Sequence, residues 1–155
     1  MHTTQVDPNG TDLPEVIKNI CPDYDVAFTN SQFSTEDLNV LYNVADVTIN
    51  MASNEGFGLA TAESIKAGTP IIVNVTGGLQ DQCGFTKDGK LISADDYVEI
   101  GSLHNKMELP MNLSWGSWVN PIWPTNRSLQ GSPMTPYIFD DRCSYEDAAK
   151  AIRQW

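Results

Sequence analysis

The sequence is poor in positive charge. Nine lysines and arginines stand against twenty aspartates and glutamates in 155 residues, a formal net charge of −11. So acidic a surface repels phosphate backbones and anionic lipid headgroups, which argues against nucleic acid and bare membrane as partners; the plainer meaning of the balance is solubility. Cysteine is scarce too. Cys21, Cys83 and Cys143 are odd in number, widely spaced and form no Cys-x-x-Cys pair. Neither a disulfide framework nor a zinc site is indicated, and a reducing cytoplasm is the expected location. No run of about 18 apolar residues is present, so direct membrane insertion by a helix is not expected. The first ten residues have neither the basic start nor the apolar stretch of a signal peptide. The Asn-x-Ser/Thr triplets at Asn9, Asn74, Asn112 and Asn126 are therefore read as chance matches. What the chain does have is 41% hydrophobic against 19% charged residues, enough for a core and too apolar for global disorder.

Periodicity organises the first half. Leu13, Val16, Ile17 and Ile20 recur at helical spacing, with Pro14 tolerated in the first turn and Pro22 as a stop. Val26-Ala-Phe28 reads as a short buried strand. Ser34-Thr-Glu-Asp37 is a capping-box-like helix start, followed by Leu38, Leu41, Tyr42 and Ala45 on one face. Asp46-Val-Thr-Ile-Asn50 is rich in β-branched residues and predicts a strand. A loop over 51–55 leads to a helix from about Gly58 to Ala67, ended by Gly68 and Pro70. Ile71-Ile-Val-Asn-Val75 is the clearest strand, and Thr76-Gly77-Gly78 reads as a sharp loop after it. Strands alternating with helices specify an open parallel sheet, whose ligands bind outside the carboxyl ends of the strands. The loops at 51–58 and 76–80 both belong to that edge. From 86 to 136 the pattern fades, with Trp115, Trp118 and Trp123 at no regular period. This stretch is expected to be an irregular insertion wrapped over the domain, with a functional lid as the other reading. Ser144-Tyr-Glu-Asp147 opens a final amphipathic helix.

The chemistry concentrates in Glu55-Gly-Phe-Gly-Leu-Ala-Thr-Ala-Glu63. With a helix starting near Gly58, Glu55 stands just before its N-terminus and Glu63 inside it. Gly56 and Gly58 clear side chains where the backbone approaches something closely. N–H groups at a helix start seat anionic oxygens such as those of a diphosphate. Carboxylates repel phosphate but accept hydrogen bonds from hydroxyls, which suits Glu55 and Glu63 to sugar and ribose. The bland alternative is a Glu55 that merely favours the helix dipole and a solvated Glu63. A nicotinamide-cofactor reading fails: Gly56-x-Gly58 runs on to Thr61, and Asn74 stands where an acidic residue is wanted.

Taken with Leu41-Tyr-Asn-Val-Ala-Asp46, Ala67-Gly-Thr-Pro70 and Gly77-Gly78, this motif resembles the C-terminal domain of the group 1, or family 4, glycosyltransferases of the two-Rossmann-domain (GT-B) type. The matching segment runs from 38 to 82, with weaker similarity from residue 1 and at the final helix. The resemblance implies an α/β fold: a Rossmann-like open parallel sheet with flanking helices, the C-terminal half of a GT-B fold. It implies one incomplete domain over 1–155, with its core at 1–85, the irregular insertion at 86–136 and the C-terminal helix at 137–155. It further implies retaining transfer from a nucleoside-diphosphate sugar, with no metal and no cofactor beyond that donor. By position, Glu55 would act at the catalytic centre on the donor sugar hydroxyls, and Glu63 would bind the ribose. Gly56 and the N–H groups of Phe57, Gly58 and Leu59 would line the sugar and diphosphate, and Gly77 and Gly78 would border the cleft.

The sequence departs from the family where a basic pair should neutralise the diphosphate: before Leu38 the only Lys or Arg is Lys18. The N-terminal acceptor domain of the family has no counterpart either, so the chain reads as a fragment that begins near the second strand of its domain. Arg127 and Arg142 are candidate replacements for the missing cations, Arg142 the better placed. Asp95-Asp96 and Asp140-Asp141 read as solvated acidic loops with cation binding as the alternative, and the isolated His2 and His104 as surface residues. A non-catalytic sugar-nucleotide-binding module, or a relative of the GT-B epimerases and phosphorylases, remains open beside the enzyme.

Overall fold

A computed structural model describes residues 10–29, 31–93, 96 and 112–155. His2, His104 and Asp95 lie outside the described residues. In chain order the helices are α1 (Leu13–Ile20), α2 (Thr35–Val44), α3 (Leu59–Ala67), α4 (Gly77–Asp81) and α5 (Tyr145–Ile152). The strands are β1 (Thr48–Asn50), β2 (Ile71–Asn74), β3 (Thr86–Lys87) and β4 (Lys90–Leu91), then β5 (Leu113–Ser114), β6 (Val119–Ile122), β7 (Asn126–Ser132) and β8 (Thr135–Arg142). The chain divides into two compact units, 1–38 and 39–155. The reason is visible in α1: its apolar stripe is present, yet none of its residues is buried. Val26-Ala-Phe28 does not form the expected strand; only an isolated bridge at Thr29 appears there.

The second unit is Rossmann-like, an α/β arrangement centred on a parallel sheet in the order β1-β2-β6. Central strand β2 is buried along its whole length. Alternation along a strand sends its side chains to opposite faces, and two clusters result. Ile71 and Val73 join Val119, Leu79, Cys83 and Phe85 on one side, with Ile65 of α3 packed against them. Ile72 joins Ile122 and Ala151 of α5 on the other. A parallel strand covered on both faces reads as continuous hydrophobicity, which is why Ile71-Ile-Val is so apolar. Burial pushes the Cys83 thiol up to about 12, with Asp81 adding to the shift.

Among its described residues, the stretch read as irregular contains regular structure. It supplies β6, the third strand of the central sheet, a small antiparallel sheet β4-β3-β5, and the first arm of the β7–β8 hairpin. Its tryptophans pack: Phe85 meets Trp115 edge-on at 6.4 Å and Trp123 at 5.3 Å. Trp118 donates its ring N–H to the Gln82 carbonyl at 3.0 Å. The segment expected to be helical from 137 begins instead as strand, since β8 runs to Arg142 before α5 starts. Asn-Pro-Ile in β6 and the polar Asn126–Ser132 strand lack the alternation that marks strands in sequence.

The hairpin is anchored at its base. Asp141, 2% exposed, takes Arg127 on both carboxylate oxygens and the Thr76 hydroxyl at 2.9 Å. Its backbone N–H donates to the Ser53 carbonyl at 2.7 Å, and its carbonyl accepts from the Asn74 side chain at 2.7 Å. Asp140 and Asp141 are thus buried structural acids rather than a solvated loop. Removing one member of such a pair strands the other, at a cost of about 3–5 kcal/mol when burial is complete. Asp141→Ala should destabilise the chain by about 3 kcal/mol, the lower end because Arg127 is partly exposed. A urea midpoint shift equivalent to under about 1 kcal/mol would show that the anchor is not structural.

Candidate functional site

Because β1 and β2 are parallel neighbours, the segments that leave their carboxyl ends meet at one edge of the sheet. The first is the loop 51–58. The second, expected as a sharp loop, turns directly into α4 at Gly77. The two are in backbone contact: the Gly78 N–H donates to the Glu55 carbonyl at 3.0 Å. A Cβ at residue 77 would collide with the Glu55 carbonyl, and one at 78 with the Gly56 carbonyl and the Phe57 backbone. Gly77 also has φ +47, in the left-handed region. The glycine pair is therefore the condition for the loop to sit where it does.

The next peptide groups are held by Gln82. Its side-chain amide donates to the carbonyls of Phe57 and, at 3.0 Å, Gly58. The Thr61 hydroxyl donates to the same Gly58 carbonyl at 2.8 Å. In a trans peptide the C=O and the following N–H point in opposite directions. With the carbonyls of Glu55, Phe57 and Gly58 engaged by α4, Gln82 and Thr61, the N–H groups of Gly56, Gly58 and Leu59 are turned away from them. Gly58 is the N-cap of α3, left-handed at φ 83, and no side chain caps the helix. Among the described residues, the N–H groups of Leu59, Ala60 and Thr61 have no protein acceptor. Such a helix start carries partial positive charge and unused donors, the arrangement that receives an anionic oxygen.

The carboxylates occupy different settings. Glu55 is half-buried and enters the packing through its backbone. Glu63, in the second turn of α3, is exposed and accepts the Tyr42 phenol of α2 at 3.2 Å. Burial first, then Glu63, pushes the Tyr42 phenol up to about 12. Thr69 ties the same helix end, donating from its hydroxyl to the Tyr42 carbonyl at 2.7 Å. The Ala67-Gly-Thr-Pro70 turn thus positions α2 beside α3. Phe57 and Leu59 present exposed apolar side chains at the loop tip.

Behind the loop, the arginines offered as replacement cations are already paired. Arg127 is engaged by Asp141, and Arg142 by Asp140 at 2.7 Å. Asp140 also takes a hydrogen bond from Ser53, and Ser53 together with Arg142 holds its carboxyl below the usual carboxylate range. The Asn54 side chain reaches the Phe139 carbonyl at 3.0 Å. Strand β8 therefore braces residues 53–54 immediately before Glu55. Asp96 accepts from the backbone and hydroxyl of Ser93 at 2.7 Å and lies 3.6 Å from Lys87. No group of three or more His, Cys, Asp or Glu among the described residues is placed to hold a metal ion.

Gln82, Thr76 and Asn74 are the site-shaping residues that sequence reasoning passed over. A single amide or hydroxyl has no spacing pattern, and only its neighbours in space give it a role. Glu63→Gln should move the Tyr42 ionisation down from about 12, followed by the tyrosine ring carbon signals in an NMR titration. The raised pKa means the folded state holds the phenolic proton more tightly. Its stabilisation is complete below about 10, the unfolded value, and is lost as pH rises through about 12. An unchanged Tyr42 titration in the variant would show that the contact carries no coupling.

Comparison with known proteins agrees with this geometry. The family model described as glycosyl transferases group 1 matches residues 21–109, a span that contains the whole loop-and-helix site. A D-inositol 3-phosphate glycosyltransferase of Thermomonospora curvata is 35% identical over 66 residues, 43% of this chain and 15% of that protein. One from Corynebacterium urealyticum is 38% identical over 61 residues, 39% of this chain and 14% of that protein. A trehalose synthase of Pyrococcus horikoshii is 30% identical over 97 residues, 60% of this chain and 23% of that protein. The chain thus spans less than a quarter of the length of these relatives. With its parallel sheet, its glycine-packed loop and a match across more than half its length, the chain belongs to the group 1 glycosyltransferase family.

Proposed function

We propose that the uncapped start of α3 and the loop before it bind a nucleoside-diphosphate sugar, as the donor-binding part of a retaining glycosyltransferase. The observation that carries this reading is the set of inward-held carbonyls at Glu55, Phe57 and Gly58, which leaves backbone donors on the open side. The diphosphate lies against the N–H groups of Gly58, Leu59 and their neighbours. Glu55 accepts from the sugar hydroxyls at the reacting end, and Glu63 from the ribose. The diphosphate leaves on the face that the acceptor hydroxyl attacks: the acceptor oxygen bonds to the anomeric carbon as the carbon–phosphate oxygen bond breaks, and the hydroxyl proton passes to the leaving group. Oriented amides stabilise the charge that develops there. The acceptor site belongs to a further domain of a longer protein, consistent with the small share of its relatives that this chain spans. Its three unbridged cysteines suit a reducing compartment, and no helix among the described residues is long and apolar enough to cross a membrane.

A second reading, a sugar-nucleotide-binding module without catalysis, draws support from Arg127 and Arg142. Both are committed to carboxylates, so neither brings uncompensated positive charge to a leaving diphosphate.

Calorimetry of the chain against UDP, GDP, ADP and their glucose and mannose conjugates tests donor binding. At least one should bind, and Glu63→Ala should weaken it about tenfold to a hundredfold, the worth of a hydrogen bond to a charged group. Absence of binding across the panel, or an unaffected Glu63→Ala variant with native circular dichroism, would sink the reading. Transfer that appears only with an acceptor domain joined to this chain separates the enzyme from the module.

A further inference from the structure

A shallow, open depression lies apart from the loop 51–58. Trp115, Gly116, Ser117, Val119, Asn120, Gln154 and Trp155 line a cleft of about 350 Å³. Val119 opens β6, so this cleft borders the amino end of that strand. The loop 51–58 leaves the carboxyl end of β1. As β1, β2 and β6 are all parallel, the two sites stand at opposite edges of the sheet.

The cleft walls have a specific chemistry. Trp115 is 41% exposed and Trp155 51% exposed, large aromatic surfaces left open to solvent. Trp115 is not free to collapse, because its ring abuts the buried Phe85 edge-on. Trp118 fills the space over Gly116, where an added Cβ would meet its ring. Asn120 donates from its amide to the Gln154 side-chain carbonyl at 2.8 Å. That bond orients both amides, and among the described residues the Asn120 carbonyl oxygen and the Gln154 amide nitrogen keep no other partner. One acceptor and one donor thus remain in the same lining as the two exposed indoles. None of the lining side chains is charged.

A ligand for such a place needs an apolar face for the indoles and adjacent hydroxyls that both donate and accept. The ring C–H groups of a pyranose present partial positive charge to the negative face of an indole, and its vicinal hydroxyls match the amide pair. An anion finds no counter-charge here and is repelled by a chain of net charge −11. The volume lies at the small end of the about 300–1,000 Å³ range of small-molecule sites. We propose that this cleft binds a pyranose residue of a neutral glycan, a second sugar site separate from the donor loop. The inference stands whether or not the loop binds a nucleotide.

The test uses the chain with 15N-labelled tryptophan, whose indole N–H signals are followed during titration with maltotetraose, cellotetraose and mannotetraose. At least one glycan should move the Trp115 and Trp155 signals in a saturable way and leave Trp123, packed against Phe85, in place. Trp155→Ala should weaken that binding about tenfold or more, and Gln154→Ala about twofold to tenfold, the worth of a neutral hydrogen bond. Trp115→Phe keeps the contact with Phe85 and serves where a smaller residue unfolds the chain. The proposal is overturned if no glycan moves the two signals, if Trp155→Ala binds as the parent does, or if adenosine at equal concentration produces the same shifts, which would make the walls an unselective stacking surface. UDP should leave both signals unmoved; binding of UDP read at this cleft would also overturn it.

Discussion

Everything at the candidate site depends on two backbones touching. The Glu55–Phe57 segment lies directly on the first turn of α4, and only hydrogens at the α-carbons of Gly77 and Gly78 make room for it. Parallel pairing of β1 and β2 brings both segments to the same edge. The glycine contact then converts neighbourhood into register, because the Gly78 N–H donates to the Glu55 carbonyl and Gln82, one residue beyond α4, donates to those of Phe57 and Gly58. Peptide geometry does the rest: carbonyls held on one side leave amides facing the other. The motif glycines thus act in two roles, Gly77 and Gly78 as floor and Gly58 as the left-handed hinge that starts α3.

Behind that edge, stability and site geometry share the same residues. Asn74, fully buried at the end of β2, donates to the Ala52 carbonyl at 3.0 Å and to the Asp141 carbonyl at 2.7 Å. Asp141 in turn holds the Ser53 carbonyl, Thr76 and Arg127. A polar residue in a strand that is otherwise aliphatic is costly unless bonded, and here its bonds join the motif loop, the central strand and the hairpin. The price of this arrangement falls on charge: Arg127 and Arg142 neutralise acids within the fold.

Much of the site was readable along the chain because its devices are local. The helix start at Gly58, the left-handed stop at Gly68 and the apolar β2 are set by residues within a few positions of one another, and each was placed to within a residue or two. The Ser34 cap forms as expected, with the Asp37 N–H on its hydroxyl at 3.1 Å. What was illegible is non-local. β6 joins the sheet only by pairing with β2, 48 positions earlier in the register Ile71 to Val119, and its Asn-Pro-Ile sequence shows neither alternation nor a continuous apolar run. Asp140-Asp141 reads as solvated until the structure brings Ser53, Thr76 and Arg127 against it.

The sequence by itself determined the family, the β–loop–α–β frame and the pair of glutamates, since spacing and glycine placement encode short-range backbone geometry. Only the tertiary structure decided which way the loop amides face, that Glu63 is met by Tyr42, that the tryptophan-rich stretch completes the sheet, and that an aromatic cleft stands at its other edge. Those outcomes rest on contacts between residues far apart in the chain, where the energy of packing and of pairing buried polar groups, rather than local propensity, selects the arrangement.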